Sequence, residues 1–378
     1  MKTQLPKPKV LDLFCGAGGM SWGLAQAGFE IIEGIDFDKI ALKTFARNHK
    51  HAKATHADLS TLEPAGWLSQ HGFSVGDLDC LVGGPPCQGF SKNVPRTSRF
   101  LDDPRNALIY RFLEFVRVVR PKLVLMENVA ELVNAFDGAF RQEVLSELRA
   151  LGYDADVRVI NAAALGVPQH RRRAVFFGSR CGEIAFPDET FTSLNDRLPL
   201  FGNMIKSYVT VWDAIGDLPS LEHGTGSQLS EYTAPAFTDY QRAMRANAQH
   251  LYNHVARHLQ EVQYRRLASL QPGQGAKDLP DELRPKSHYS GAYGRLSKDM
   301  VAPTLTRWMF HPGSGRFGHP VDIRTLTIRE AARIQSFSDD FVFEGSFTQA
   351  SSQLGNAVPP LLIKAFAPIM YQSLYPTL

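Results

Sequence analysis

The chain has 378 residues, 44% of them hydrophobic and 21% charged, which is material for two domains, one of them interrupted. No run of about 18 apolar residues occurs and the opening MKTQLPKPKV has no apolar signal core, so the sequence predicts a soluble cytosolic protein without a membrane segment. The four cysteines, Cys15, Cys80, Cys87 and Cys181, lack both CxxC spacing and a zinc ladder, so reduced thiols and no structural metal are expected, and a net charge of +3 is too weak to indicate a nucleic-acid partner.

Lys9 to Phe14 reads as a first strand, followed by the glycine turn CGAGG (Cys15 to Gly19) and a helix from Met20 to Ala27. A strand, a glycine turn and a helix in that order allow close backbone approach to a ligand at a helix N-terminus, although many tight turns share the pattern with no ligand. The apolar run Ile31 to Ile35 ends at Asp36, about 20 residues on, where such units place an acid on a ribose. Phe37 follows, and its ring either packs in the core or lies on an adenine. His56-Ala57-Asp58 closes a weaker third segment.

Asp79 to Val82 is a short apolar run with the look of a buried strand in a parallel sheet. Pro85-Pro86 cannot continue it, so Cys87 stands in a stiff turn just past a strand's carboxyl end, where open α/β sheets bind ligands. The thiol is either a small buried hydrophobe or a nucleophile in a rigid, sterically open loop. Lys92, Arg96, Arg99, Arg105, Arg111, Arg117, Arg120 and Lys122 then face only Asp102, Asp103 and Glu114. Such a run is either a solvated helix face or a basic surface beside the thiol.

Asn106 to Val119 has helical periodicity and stops before Pro121. Leu123 to Met126 is a buried strand that delivers Glu127-Asn128-Val129 to the same sheet rim as Cys87, where Glu127 serves either as a helix cap or as a site carboxylate. Phe140 to Leu151 reads as helix, with Ala155 to Ile160 and Ala174 to Gly178 as strands. Between those strands lies VPQHRRRAV, whose arginine forks suit phosphates and base edges or merely protect a strand edge. Alternation of strand and helix up to Ser179 makes this half a doubly wound α/β domain. It then fails: Arg180 to Pro320 is rich in Pro, Gly and His and reads as a second, irregular domain carrying basic side chains such as Arg295. Arg329 to Phe337 reads as helix, and QLGNAVPP leads into a final helix, Leu361 to Ser373.

In order, DLFCGAGG (Asp12 to Gly19), GGPPCQGFS (Gly83 to Ser91), ENV (Glu127 to Val129), QHRRR (Gln169 to Arg173), RTLTIREAARIQSF (Arg324 to Phe337) and QLGNAVPP (Gln353 to Pro360) resemble the motifs of the DNA (cytosine-5) methyltransferase family of the bacterial restriction-modification type. The resemblance implies an α/β fold: a doubly wound, Rossmann-like S-adenosylmethionine-dependent domain over 1–185, a smaller irregular target-recognition domain and hinge over 186–348, and a return to the catalytic domain over 349–378. It implies S-adenosylmethionine as donor and S-adenosylhomocysteine as product, held by Phe14, Gly16, Ala17, Gly18 and Gly19, with Asp36 on the ribose and Phe37 on the adenine. Asp58, Leu59, Pro85, Asn356 and Val358 complete that expected pocket.

The resemblance also implies double-stranded DNA as partner, a cognate restriction endonuclease as a candidate second partner, a monomer, and a place in the bacterial cytosol and nucleoid. Cytosine is too poor a carbon nucleophile to take a methyl group directly, so a thiolate must first add at carbon 6, and Cys87 fits. Glu127 is the acid for ring nitrogen 3, and Arg171 with Arg173 are expected to hold the base or its phosphates. Ser91, Lys92, Arg96, Arg99, Gln169 and Arg295 are the expected DNA contacts. A tRNA cytosine methyltransferase shares the glycine turn, PPCQ and ENV and is the enzymatic alternative; a catalytically silent DNA-binding homologue is the other.

Overall fold

The computed structural model describes residues 7–86, 107–193, 206–286 and 291–376. The chain divides into two compact units: Met1–Ala162 with Arg172–Asp188 and Pro360–Leu378, and Ala163–Arg171 with Glu189–Pro359.

In the first unit the strands β1 (Lys9–Leu13), β4 (Cys80–Gly83) and β5 (Leu123–Val129) are buried along almost their whole length, because both sheet faces are covered by helices. They form the middle of a seven-stranded sheet with β2 (Glu30–Asp36), β3 (Lys53–His56), β6 (Asp154–Asn161) and β7 (Arg172–Ser179), in the order β3-β2-β1-β4-β5-β7-β6. The pairs from β3 to β5 are parallel. They are joined by α1 (Gly19–Gln26), α2 (Lys39–Asn48), α3 (Pro64–His71) and α4 (Ala107–Val119). Strand order reverses at β1 and β4, and the crevice outside the carboxyl ends there is where this architecture binds ligands.

The alternation of the sequence accounts for most of this sheet, with one departure. β7 runs antiparallel to both β5 and β6, which a chain can do by direct return without a crossover helix. The helix α4 buries Ile109, Phe112, Leu113, Phe115, Val116 and Val119, the stripe its periodicity predicts. With Leu11, Leu13, Leu81, Val124, Met126, Phe140 and Phe176 these side chains make one continuous core.

Capping fixes where several helices begin. Asp38 starts α2 by accepting from the N–H groups of Ile40 (2.8 Å) and Ala41 (3.1 Å). Pro64 starts α3, and a Ser346–Gln349 capping box starts the helix Phe347–Asn356. The single final helix expected over 361–373 is instead two, Pro360–Lys364 and Ala367–Leu374, because Pro368 stands in the first turn of the second and cannot continue the first. The second of these returns to the sheet domain, with Tyr371 edge-on to Phe29 at 4.7 Å.

The unit boundaries differ from 186, 348 and 349. The excursion Ala163–Arg171 leaves the first unit, and the return comes at Pro360, since the helix Phe347–Asn356 packs on the helix Ile328–Ile334 inside the second.

The second unit is built around buried charge. Every residue of the helix Ile328–Ile334 is buried, its Arg329, Glu330 and Arg333 included. Arg333 binds Asp339 at 2.6 and 2.9 Å and also pairs with Asp217, while Arg324 forks onto Glu330 with two bonds of 2.8 Å. Arg329 donates to the carbonyls of Tyr252, Ser338 and Phe341. Bidentate guanidinium partners are what make such groups tolerable away from water.

Candidate active site

The first part of the site is the glycine turn after β1. Phe14 (φ 57°), Gly16 (φ 53°) and Gly18 (φ 94°) all lie in the left-handed region, which winds the chain back so that α1 begins at Gly19. For Phe14 this is a strained conformation of the kind found where a backbone must meet a ligand. Asp36, at the end of β2, fixes the turn: its Oδ2 accepts from Gly16 N and its Oδ1 from Asp38 N, each at 2.8 Å. Burial raises the Asp36 pKa, against the lowering pull of these N–H groups.

Space remains over this turn, for a Cβ built on Gly16 would meet nothing within 4 Å. Phe37 is 71% exposed, which removes core packing as its role. Its carbonyl lies 3.0 Å from His56 Nε2, and the two rings stand 5.9 Å apart. Asp58 follows β3, exposed, and its Oδ1 accepts from Ser60 N (2.9 Å); the Ser60 hydrogen bonds hold its pKa below the ordinary value. Leu59 and Ala17 are buried. In the second unit, exposed Asn356 ends the helix Phe347–Asn356 and Val358 is buried.

The second part is the carboxyl end of β4 and β5. Asn128 donates from Nδ2 to the carbonyl of Pro85 (2.9 Å), while its Oδ1 accepts from Val129 N (2.9 Å). This buried amide ties the prolines to β5, a role the sequence reading did not give it, although ENV and PP are its visible signal. Glu127 is buried beside them, and a Cβ on Gly84 would stand 3.5 Å from its Oε2, so only glycine leaves that side of the carboxyl clear. Across the β5–β7 ladder Arg173 brings Nε to 2.8 Å from Glu127 Oε1. The approach is an ion pair without the alignment of a hydrogen bond, and Oε1 has no hydrogen-bond donor among the described residues.

Three polar side chains that the sequence singled out are buried in the second unit. The Arg171 guanidinium donates to the carbonyls of Leu305 (3.2 Å), Gly355 and Ala357 (3.0 Å each) and ties these segments of the unit together. Gln169 is fully buried rather than a DNA contact, with Oε1 accepting from Leu305 N (2.8 Å) and Nε2 donating to Gln335. Arg295 is likewise buried, donating to the carbonyls of Leu270, His319, Pro320 and Val321. Both arginines, with several donors each, satisfy main-chain carbonyls that loops leave unpaired. Cys87, Ser91, Lys92, Arg96 and Arg99 lie outside the described residues.

A doubly wound sheet with a glycine turn at β1 and a carboxylate at the end of β5 defines a cofactor-dependent α/β enzyme. Comparison makes the class specific: the C-5 cytosine-specific DNA methylase family matches residues 8–371. The chain is 34% identical to the type II methyltransferase M.AgeI of Thalassovita gelatinovora, covering 95% of this chain and 98% of that one. It is 35% identical to the type II methyltransferase M1.HphI of Haemophilus parahaemolyticus, covering 94% and 85%. A solved structure described as a DNA modification methyltransferase encoded within an E. coli prophage superposes with a TM-score of 0.76 at 25% identity, over 97% of this chain and 99% of that one.

The chain belongs to the C-5 cytosine-specific DNA methylase family. It is a DNA (cytosine-5) methyltransferase, acting on DNA at cytosine carbon 5, and S-adenosylmethionine is the donor expected of this class. No helix among the described residues is long and apolar enough to cross a membrane.

Proposed function

We propose that the enzyme methylates one cytosine of a specific duplex DNA sequence after flipping it out of the stack. The observation that carries this reading is the buried Glu127 carboxyl, held by Arg173 and tied through neighbouring Asn128 to the proline turn that precedes Cys87. A base paired within the duplex is out of reach of any such loop, so the nucleotide must be extruded.

Phe14, Gly16, Ala17, Gly18, Gly19, Asp36, Phe37, Asp58, Leu59 and Pro85 would hold S-adenosylmethionine, with Asn356 and Val358. The open side of Gly16 and the unburied ring of Phe37 support this fit. When bound, S-adenosylmethionine supplies an electrophilic methyl group.

The Cys87 thiolate adds to carbon 6, and the ring electrons move toward nitrogen 3. Glu127 neutralises that charge by hydrogen bonding or protonation through its buried oxygen. Arg173 fixes the direction of the carboxyl. Carbon 5 is thereby enamine-like and nucleophilic. After methylation, loss of the carbon-5 proton to water lets the carbon–sulfur bond break and restores the ring. Ser91, Lys92, Arg96 and Arg99 contact phosphates, so DNA binding weakens as salt rises. The enzyme works as a monomer in the bacterial cytosol and nucleoid, beside a restriction endonuclease of matching specificity, as relatives named type II methyltransferases suggest.

The experiment is methyl transfer from labelled S-adenosylmethionine to duplex DNA of many sequence contexts, with tRNA as competitor. Label at one DNA site, lost in Cys87→Ala, is expected. A preference for tRNA, or no transfer by protein that binds the donor, overturns the reading.

A further inference from the structure

The glycine turn is braced from behind by a residue that no motif includes. His49 caps the C-terminus of α2, donating its backbone N–H to Phe45 O (2.8 Å), and the residue is only 6% exposed. Its Nε2 lies 3.3 Å from the carbonyl oxygen of Gly18, the same oxygen that accepts the first bond of α1 from Trp22 N (2.8 Å). A carbonyl only accepts, so Nε2 carries the proton. Burial lowers the His49 pKa to about 4, leaving the ring neutral near pH 7.

The ring is itself fixed on two sides, by Phe45 at 4.4 Å between centroids and by the edge of Trp22 at 5.6 Å. The fit against the turn is close. A Cβ at Gly18 would stand 2.6 Å from His49 Nε2 and 2.8 Å from Phe45 Cδ2, so glycine is required there by contact as well as by its φ of 94°.

We infer that His49 is a positioning residue for the cofactor turn: through Gly18 it sets the height at which the Gly16–Gly18 backbone meets S-adenosylmethionine. It touches neither cofactor nor DNA, and the inference rests on the reading that this turn holds the donor. A rigid turn binds without paying an ordering cost, whereas a turn loosened at Gly18 must be ordered at each binding event.

The test is calorimetric titration of S-adenosylhomocysteine into the intact protein and into His49→Phe, which keeps a ring but loses the donor, and His49→Gln, which keeps a donor. His49→Phe is expected to bind about three- to tenfold more weakly, the worth of one neutral hydrogen bond. His49→Gln should recover part of the loss. In methyl transfer, KM for S-adenosylmethionine should rise while kcat and KM for DNA hold. If the parent binds and both variants bind equally well, the inference fails. If the parent itself does not bind, the assignment of the turn to this cofactor fails instead. A fall in kcat with KM unchanged would also overturn it, as would equal losses in the two variants.

Discussion

Arg171 and Arg173 flank a single residue, and the structure assigns them opposite fates. Arg171→Ala removes a buried guanidinium that donates to the carbonyls of Leu305, Gly355 and Ala357. Hydrogen bonds from charged groups contribute about 1.5–3 kcal/mol each, and because they share one group their losses do not simply add. A cost of about 4–6 kcal/mol follows, with a drop in Tm of roughly 8–24 °C at about 2–4 °C per kcal/mol. Arg173→Ala instead strips Glu127 of its cation. The two side chains are 15% and 10% exposed, so the loss sits at the lower end for a broken buried pair, about 2–3 kcal/mol. Falling on the group proposed to meet the charge at nitrogen 3, a loss of that size felt in the transition state should lower kcat by roughly 30- to 150-fold, while Tm falls by only about 4–12 °C at the same rate per kcal/mol. Thermal unfolding of both variants, beside single-turnover methyl transfer by each at a temperature where it is folded, separates the two. An Arg171→Ala protein of unchanged Tm and abolished kcat would refute the assignment, as would an Arg173→Ala protein of full activity.

Phe37→Ala should weaken S-adenosylhomocysteine binding by roughly three- to tenfold through lost ring stacking, while Tm stays put because the side chain is 71% exposed; an unchanged Kd would remove Phe37 from the site. Burial pushes the Asp12 carboxyl up to about 7 from 3.8, with Ser21 Oγ donating to its Oδ2 at 2.6 Å. A raised pKa in the folded state means that this group's stability is fully present below pH 4 and is lost as pH rises through 7, by about 4 kcal/mol at most. Asp12→Asn should therefore raise Tm at pH 8 relative to pH 5, and a Tm difference from the parent that does not vary with pH would contradict it. Arg333→Met leaves the carboxylates of Asp217 and Asp339 buried with one cation fewer, and urea unfolding should show a loss of about 3–5 kcal/mol. Adding Asp217→Asn and Asp339→Asn should return part of that loss; further destabilisation would show the buried charges to be net stabilising.

Local pattern was enough for the strands and for one wall of the site. Apolar runs flanked by turn residues placed β1, β4 and β5, and Pro85-Pro86 placed the end of β4, because those signals are set by neighbours in the chain. The end of β5 put Glu127 on the same rim by the same logic. The exact start of α2 was less legible, since the part played by Asp38 shows only once its carboxylate is seen accepting two N–H groups.

The sequence by itself determined that Glu127, the glycine turn and Asp36 stand toward the carboxyl ends of strands of one sheet, for strand ends follow from chain-local hydrophobicity and turn chemistry. It had no means of ranking arginines. Whether a guanidinium faces a carboxylate, as Arg173 does, or disappears into main-chain carbonyls, as Arg171 and Arg295 do, depends on which loops approach from far along the chain. His49 was invisible for the same reason: its carbonyl partner is 31 residues away, across a contact that only the packing of α2 against the glycine turn creates.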